Sequence, residues 1–162
     1  MDDKIFLDNA LAAWQRHHDM TYSLLNQLTD EQLYFKIPRR PGLNMFSKHF
    51  EEMSEVQNDY ARAFYTHKLK FTEGSVYTGQ STRAQLLAGF AAADAAVHAG
   101  IAACPPEQPI DIFGVGGTRA DLVQTLLHHE LFHHGQFSTF SYEMEFNLPK
   151  DWRDFWWIPA RY

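Results

Sequence analysis

His129, Glu130, Leu131, Phe132, His133, His134, Gly135 and Gln136 follow one another in the last third of the chain. His129 and His133 stand four residues apart. On a helix that spacing puts both side chains on one face, about 5–6 Å apart at Cβ. Two neutral imidazoles converging from one face can chelate a transition metal, and imidazole suits zinc and nickel alike. A solvated, histidine-rich helix would contain the same residue types, so the surrounding periodicity decides. Leu122, Leu126, His129, His133, Gln136 and Phe140 step by alternating fours and threes, the inward stripe of a bundle helix. The pair therefore falls on core-facing positions. A lone core histidine is normally satisfied structurally; two at ligand spacing point to a metal.

A third donor comes from a second stripe. Phe46, His49, Met53, Val56, Tyr60 and Phe64 repeat by threes and fours, with His49 on the apolar face. Facing bundle helices build metal sites from such inward side chains. His49, His129 and His133 together would leave coordination positions open for water or substrate, the mark of a catalytic rather than a closed structural site. Glu52 lies one turn beyond His49 and is expected to hydrogen-bond a ligand ring. Gln136, one turn after His133, is expected to orient a bound water. Glu130 is expected to be a supporting or solvated carboxylate.

The elements that must carry these residues are long amphipathic helices. The first is expected over 4–28, with Phe6, Ala10, Ala13, His17, Met20 and Leu24 inward. Thr29 to Gln32 reads as a capped short turn. Pro38 and Pro41-Gly42 break the chain. The second helix is expected over 44–67 with Asn44 as its cap. Ser81-Thr82 caps the third, which carries Leu86, Phe90, Ala93, Val97 and Ile101. The fourth is expected over 118–144. The only strand pattern is a short one at 110–115. An aromatic tail with Trp152, Phe155, Trp156, Trp157 and Tyr162 follows Leu148. Its tryptophans are expected to form a core lid or a dimer contact.

Composition narrows the function classes. The 162 residues suit a single domain, 1–162, with a real core, and 45% hydrophobic residues exclude a disordered chain. The net charge of −6, without a basic patch, argues against nucleic acid as a partner. The acidic start at Met1-Asp2-Asp3-Lys4 lacks the apolar core of a signal peptide. No run of eighteen apolar residues occurs, so a membrane span is not expected and cytoplasmic location is. The single Cys104 excludes an intrachain disulfide. A small-molecule substrate and a homodimer, the latter from the heavy aromatic load, complete the expectation.

One histidine early in the second long helix, then His-x-x-x-His-x-Gly-Gln in the fourth, resembles the DinB/YfiT-like metalloenzymes. The matching residues are His49, His129, His133, Gly135 and Gln136. The resemblance spans nearly the whole chain by helix order and length. It implies an all-α four-helix bundle in up-down-down-up order, which the two long middle connections permit. It also implies a divalent metal, zinc or nickel, on the three histidines, and frequent dimerisation. Characterised relatives include S-transferases and isomerases that use a small-molecule thiol. A thiol cofactor and S-transferase or hydrolase activity are the expectations the resemblance brings; the substrate is not among them.

Other readings of the same residues carry less. His129-Glu130-x-x-His133 has the form of a zincin protease motif. Glu130 would sit about 100° around the helix from His129, and that motif needs a distal third ligand and a strand edge for substrate. Glu130-x-x-His133 is also half of a di-iron signature, but no second Glu-x-x-His occurs in the chain. A non-catalytic metal clip or interaction module is the remaining alternative. His17 and His18 read as packed or boundary residues within reach of the site, and His128 and His134 as flanking ones.

Overall fold

The computed structural model describes residues 3–161. The chain forms α1 (Asp3–Gln27), α2 (Asp30–Tyr34), α3 (Phe46–Thr66), α4 (Arg83–Ala103), β1 (Ile110–Ile112), β2 (Val115–Gly117), α5 (Arg119–Glu143) and α6 (Lys150–Trp156). The starts of α2, α4 and α5 are set by one device. Thr29, Thr82 and Thr118 each accept a hydrogen bond from the N3 backbone, while Gln32, Gln85 and Asp121 reach back to the cap N–H. These reciprocal pairs satisfy amides that the helix itself cannot.

The four long helices run up, down, down, up. Side-chain pairs fix each direction. His49 meets His133 and Tyr60 reaches the Thr125 carbonyl, so α3 and α5 are antiparallel. Gly89 faces Ser54 and Gly100 faces Ala61, so α3 and α4 are parallel. His18 meets Glu130 and Thr21 meets His134, so α1 and α5 are parallel as well. This is the all-α bundle expected from the sequence. Consecutive parallel helices require a long return, and segment 67–82 makes it between α3 and α4, pinned along α3 by carboxylates. Asp59 accepts from the Thr72 N–H and hydroxyl, and Glu51 from the Gly79 N–H, Ser81 N–H and Ser81 hydroxyl. The connection between α4 and α5, which run antiparallel, contains the antiparallel hairpin of β1 and β2, which extends to Gly117, beyond the expected 110–115. A parallel bridge from Lys68 to Asp111 joins the two connections.

The core has two parts. One gathers Leu7, Trp14, Tyr60, Phe64, Val97, Leu122 and Leu126 at the end nearer the hairpin. The other gathers Leu24, Leu33, Phe46, Phe50, Phe90, Phe137, Phe140 and Trp152 at the opposite end. Helix α4 is long and apolar enough by composition to cross a membrane. It is alanine-rich, and its larger residues Leu86, Phe90, Val97 and Ile101 are buried in the bundle.

Three local expectations change. Asn44 does not cap α3. Its side chain donates to the Arg40 carbonyl, and Met45 stands at the cap without a side-chain bond. The Asn44 backbone also closes the preceding turn with Gly42 and Ile37, so Asn44 organises the connection rather than the helix. Phe6 is 49% exposed and Leu7 takes its place in the core, a rotation of one position on α1. The tail divides: Trp152 is fully buried, while Trp157 is 91% exposed.

Candidate metal centre

Four donor side chains gather between α3 and α5: His49 and Glu52 from α3, His129 and His133 from α5. Each pair is a helical neighbour, i and i+3 or i and i+4, so two antiparallel helices bring four donors to one level of the bundle. His133 is central. Its Nε2 lies 3.1 Å from His129 Nε2 and 2.8 Å from Glu52 Oε2, and Glu52 Oε1 lies 3.3 Å from His129 Nε2. One donor atom from each of Glu52, His129 and His133 falls within 4.8 Å of the others. His49 stands behind this set, its Nδ1 2.8 Å from His133 Nδ1.

The hydrogen bonds determine the tautomers. His49 Nε2 lies 3.0 Å from the Leu43 carbonyl, which can only accept. His49 therefore carries its proton on Nε2. Burial, together with the neighbouring His133, pushes its pKa down to about 3, so it is neutral and its Nδ1 is a lone pair. His133 must then donate from Nδ1 to His49. Burial also lowers the pKa of His133, so it too is neutral, and its Nε2 lone pair faces Glu52 Oε2. Burial opposes the charge on Glu52, but the hydrogen bond with His129 outweighs it and holds its pKa below the usual carboxylate range. A carboxylate oxygen and a nitrogen lone pair thus face each other at 2.8 Å with no proton between them, and Glu52 Oε2 is a buried acceptor without a hydrogen-bond donor. Such a gap fits a cation. A metal-bound imidazole whose other N–H is held by a partner is the usual arrangement at metal sites.

His49 and His133 are buried, whereas the side chains of Glu52 and His129 remain 17% and 18% exposed. The centre is therefore open on its Glu52–His129 side. Tyr60 stands beside His129 there, with Phe71 of the return segment against Tyr60. Gln136 lies at the other end, where its Oε1 accepts from Arg40 Nη2 at 2.8 Å. The loop residue Arg40 was not legible as a neighbour of the site, because its position depends on how the 35–45 connection folds.

Glu130 belongs elsewhere. It is 3% exposed and faces α1, where it accepts from Thr21 and lies 3.1 Å from His18 Nδ1 and 3.8 Å from His134 Nε2. His18 Nε2 is 2.8 Å from Asp94 on α4, and Asp94 also accepts from Tyr22 and Gln57. Burial opposes the charge on His18, but Glu130 and Asp94 prevail and raise its pKa to about 10. Burial likewise opposes the charge on Glu130, and His18 and His134 hold it well below the usual carboxylate range. This is a buried ion network that ties α1, α4 and α5 together. His17 packs against Phe155 and Trp156, and His134 against Trp152, so the tail covers the α1–α5 seam.

Among known families, the profile of the DinB family matches residues 1–144. The matched span runs from the start of α1 through α5 and holds His49, Glu52, His129 and His133; α6 lies beyond it. No curated protein matches the chain.

Proposed function

The chain belongs to the DinB family, and from that premise we propose that it is a metal-dependent enzyme acting on a small molecule, by thiol-dependent S-transfer or by hydrolysis. The observation that carries the reading is the 2.8 Å approach of Glu52 Oε2, a buried acceptor without a donor, to His133 Nε2, beside His129 and with one donor atom of each within 4.8 Å of the others. His129 and His133 are ligands from α5. The third ligand comes from α3, where the geometry supports Glu52 and the family resemblance supports His49. A divalent metal such as zinc or nickel would act there as a Lewis acid, lowering the pKa of a water or of a small-molecule thiol.

The chain's own residues do the remaining work. The Leu43 carbonyl fixes the ring of His49, and His49 fixes the tautomer of His133. Glu52 brings negative charge to the centre and lies on its open side, where a small molecule can reach it. Burial raises the pKa of Tyr60, so its phenol stays neutral beside His129. We place the protein in the cytoplasm as a homodimer that binds neither nucleic acid nor membrane. The net charge of −6 and the exposed Phe155, Trp156 and Trp157 support that reading.

Elemental analysis of purified protein tests the metal, followed by an activity screen pairing thiols with small electrophiles. One divalent transition metal per chain is expected, lost in His129→Ala and His133→Ala. Metal-free wild-type protein that takes up neither zinc nor nickel would remove the reading. Glu52→Gln and His49→Ala assign the third ligand. With Glu52 in that position, Glu52→Gln abolishes binding and His49→Ala weakens it about 10–100-fold, as loss of an orienting partner does. The reverse order makes His49 the ligand. Light scattering at micromolar concentration decides between dimer and monomer.

A further inference from the structure

One edge of α5 borders α3 over three turns. Thr125, His129, Phe132 and Gln136 follow one another by fours and threes, so they are neighbours along that edge. Three of the four meet a partner across the seam. The Thr125 carbonyl accepts from the Tyr60 hydroxyl, His129 meets Glu52, and Gln136 accepts from Arg40. Phe132 differs. It follows His129 by three positions, stays 64% exposed, and meets the ring of His133 edge-on at 5.7 Å. It therefore stands beside the open Glu52–His129 side of the centre.

The other end of that opening is aromatic too. Tyr60 lies 6.4 Å from His129, one turn back along α5 at Thr125, and Phe71 of the 67–82 segment packs on Tyr60 at 5.9 Å. Phe71 is exposed in turn, and Phe113 backs it at 5.7 Å from the tip of the hairpin. Phe113 is held there at φ 54°, a left-handed conformation that glycine adopts at less cost. Thr125 and Phe132 are seven residues apart, about 10 Å of helix, so the aromatic ends leave room between them for one ring-sized group above Glu52 and His129. The next carboxylates of α3 are turned to the 67–82 segment: Asp59 accepts from Thr72, and Glu55 from Ser75 and Tyr77. An apolar ring in water at a metal's open side gains when an apolar part of the ligand covers it. A ligand that is polar throughout gains nothing there.

We propose that Phe132 is a specificity-determining residue of the centre, with Tyr60 and Phe71 at the far end of the opening, and that the small molecule served there carries a flat apolar group two or three bonds from the atom presented to the metal. That reach suffices because Phe132 touches the ring of His133, whose Nε2 is one of the donor atoms. This rests on the metal-dependent reading above and adds the substrate class to it.

The test uses full-length protein loaded with cobalt(II), whose absorption reports thiolate binding. It is titrated with 2-phenylethanethiol and with ethanethiol, primary alkyl thiols that differ in the ring. The wild type should bind the phenyl thiol about tenfold more tightly, the effect of covering about 50–60 Å² of apolar surface. In Phe132→Ser that advantage should shrink to about threefold or less, with the affinity for cobalt unchanged. Phe132→Leu should recover part of it, since apolar area returns without the flat face. Phe155→Ser, on the α1–α5 seam, should leave the advantage at full size, which separates this opening from general adhesion of an apolar thiol. Equal affinity for the two thiols in the wild type, or none for either, overturns the inference. So does an advantage that survives in Phe132→Ser, or one lost equally in Phe155→Ser. If Phe132→Ser weakens cobalt itself, Phe132 is a shield for His133 and the proposal fails while the metal reading stands. Wild-type protein that takes up no cobalt fails at the first step and overturns both.

Discussion

His133 connects two kinds of chemistry through its two ring nitrogens: Nδ1 toward His49 and Nε2 toward Glu52 and His129. The sequence made the α5 pair legible because i and i+4 is a geometric statement about a helix. It did not make Glu52 legible as more than a supporting residue, since which of two neighbouring α3 donors faces the pair depends on helix rotation and axial offset. Glu130 was misplaced for a related reason. On α5, residues 122, 123, 126, 127, 130, 133, 134 and 137 are all buried, so the helix has two inward faces and a single stripe describes one of them. Glu130→Ala should therefore leave metal binding intact while lowering stability by up to about 3–5 kcal/mol, because the buried charge of His18 would lose one of its two carboxylate partners and keep only Asp94. Denaturant titration alongside metal analysis checks both halves; loss of metal without loss of stability would put Glu130 back at the centre. His18 also predicts a pH dependence. Its folded pKa of about 10 exceeds the ordinary 6.5, so its pairing contributes in full below 6.5 and is lost as pH rises through about 10. Across that interval the wild type should lose stability toward the level of His18→Gln, and two curves that run parallel would contradict a charged His18.

Helix α4 is the element whose packing can be tested most directly. Gly100 lies at its closest approach to α3: a Cβ there would meet the Ala61 carbonyl at 2.9 Å and the Phe64 side chain at 3.0 Å. Neither can retreat easily, one being backbone and the other a fully buried ring. Gly89, three turns earlier on the same helix, would place its Cβ 3.5 Å from the Ser54 hydroxyl, an ordinary contact. Gly100→Ala should cost about 1–3 kcal/mol through overpacking. Gly89→Ala should instead stabilise by about 0.5–1 kcal/mol, since alanine loses less chain entropy in a helix. Urea midpoints with unchanged slopes would record the two shifts, and equal signs would refute the close parallel crossing. The periodicity of α4 was legible, as were the capped starts of α2 and α4, because threonine caps and apolar repeats are local; the Thr118 cap of α5 was not read, although the same pattern with Asp121 was there to find. Asn44 was misread as a cap because the carbonyl of Arg40 competes for its amide. That competition is created by the fold of the 35–45 connection and is invisible in spacing alone.

At the scale of the whole molecule, the lengths of the connections were legible and permit the observed helix order, which the family resemblance implied. The course of segment 67–82 was not legible, because it is guided by Asp59 and Glu51 on the outer surface of α3, which periodicity reads as plain solvated positions. The two core clusters lie on either side of the donor level and contain most of the large apolar residues. Neither includes the donors themselves. Folding can thus proceed on apolar burial in four long helices, without a metal clip of the kind that very small domains need. Metal-free protein should therefore remain helical and unfold in one cooperative transition. Metal that binds only the native state should still add stability, about 2.7 kcal/mol when its free concentration is a hundred times the dissociation constant. His129→Ala should keep the helical spectrum and lose that increment, and any reaction the protein performs should be lost with it. Thermal denaturation followed by circular dichroism, with and without chelator, measures both quantities. A chain that unfolds on chelation would behave as small structural zinc domains do, and the centre would then belong to the fold rather than to catalysis.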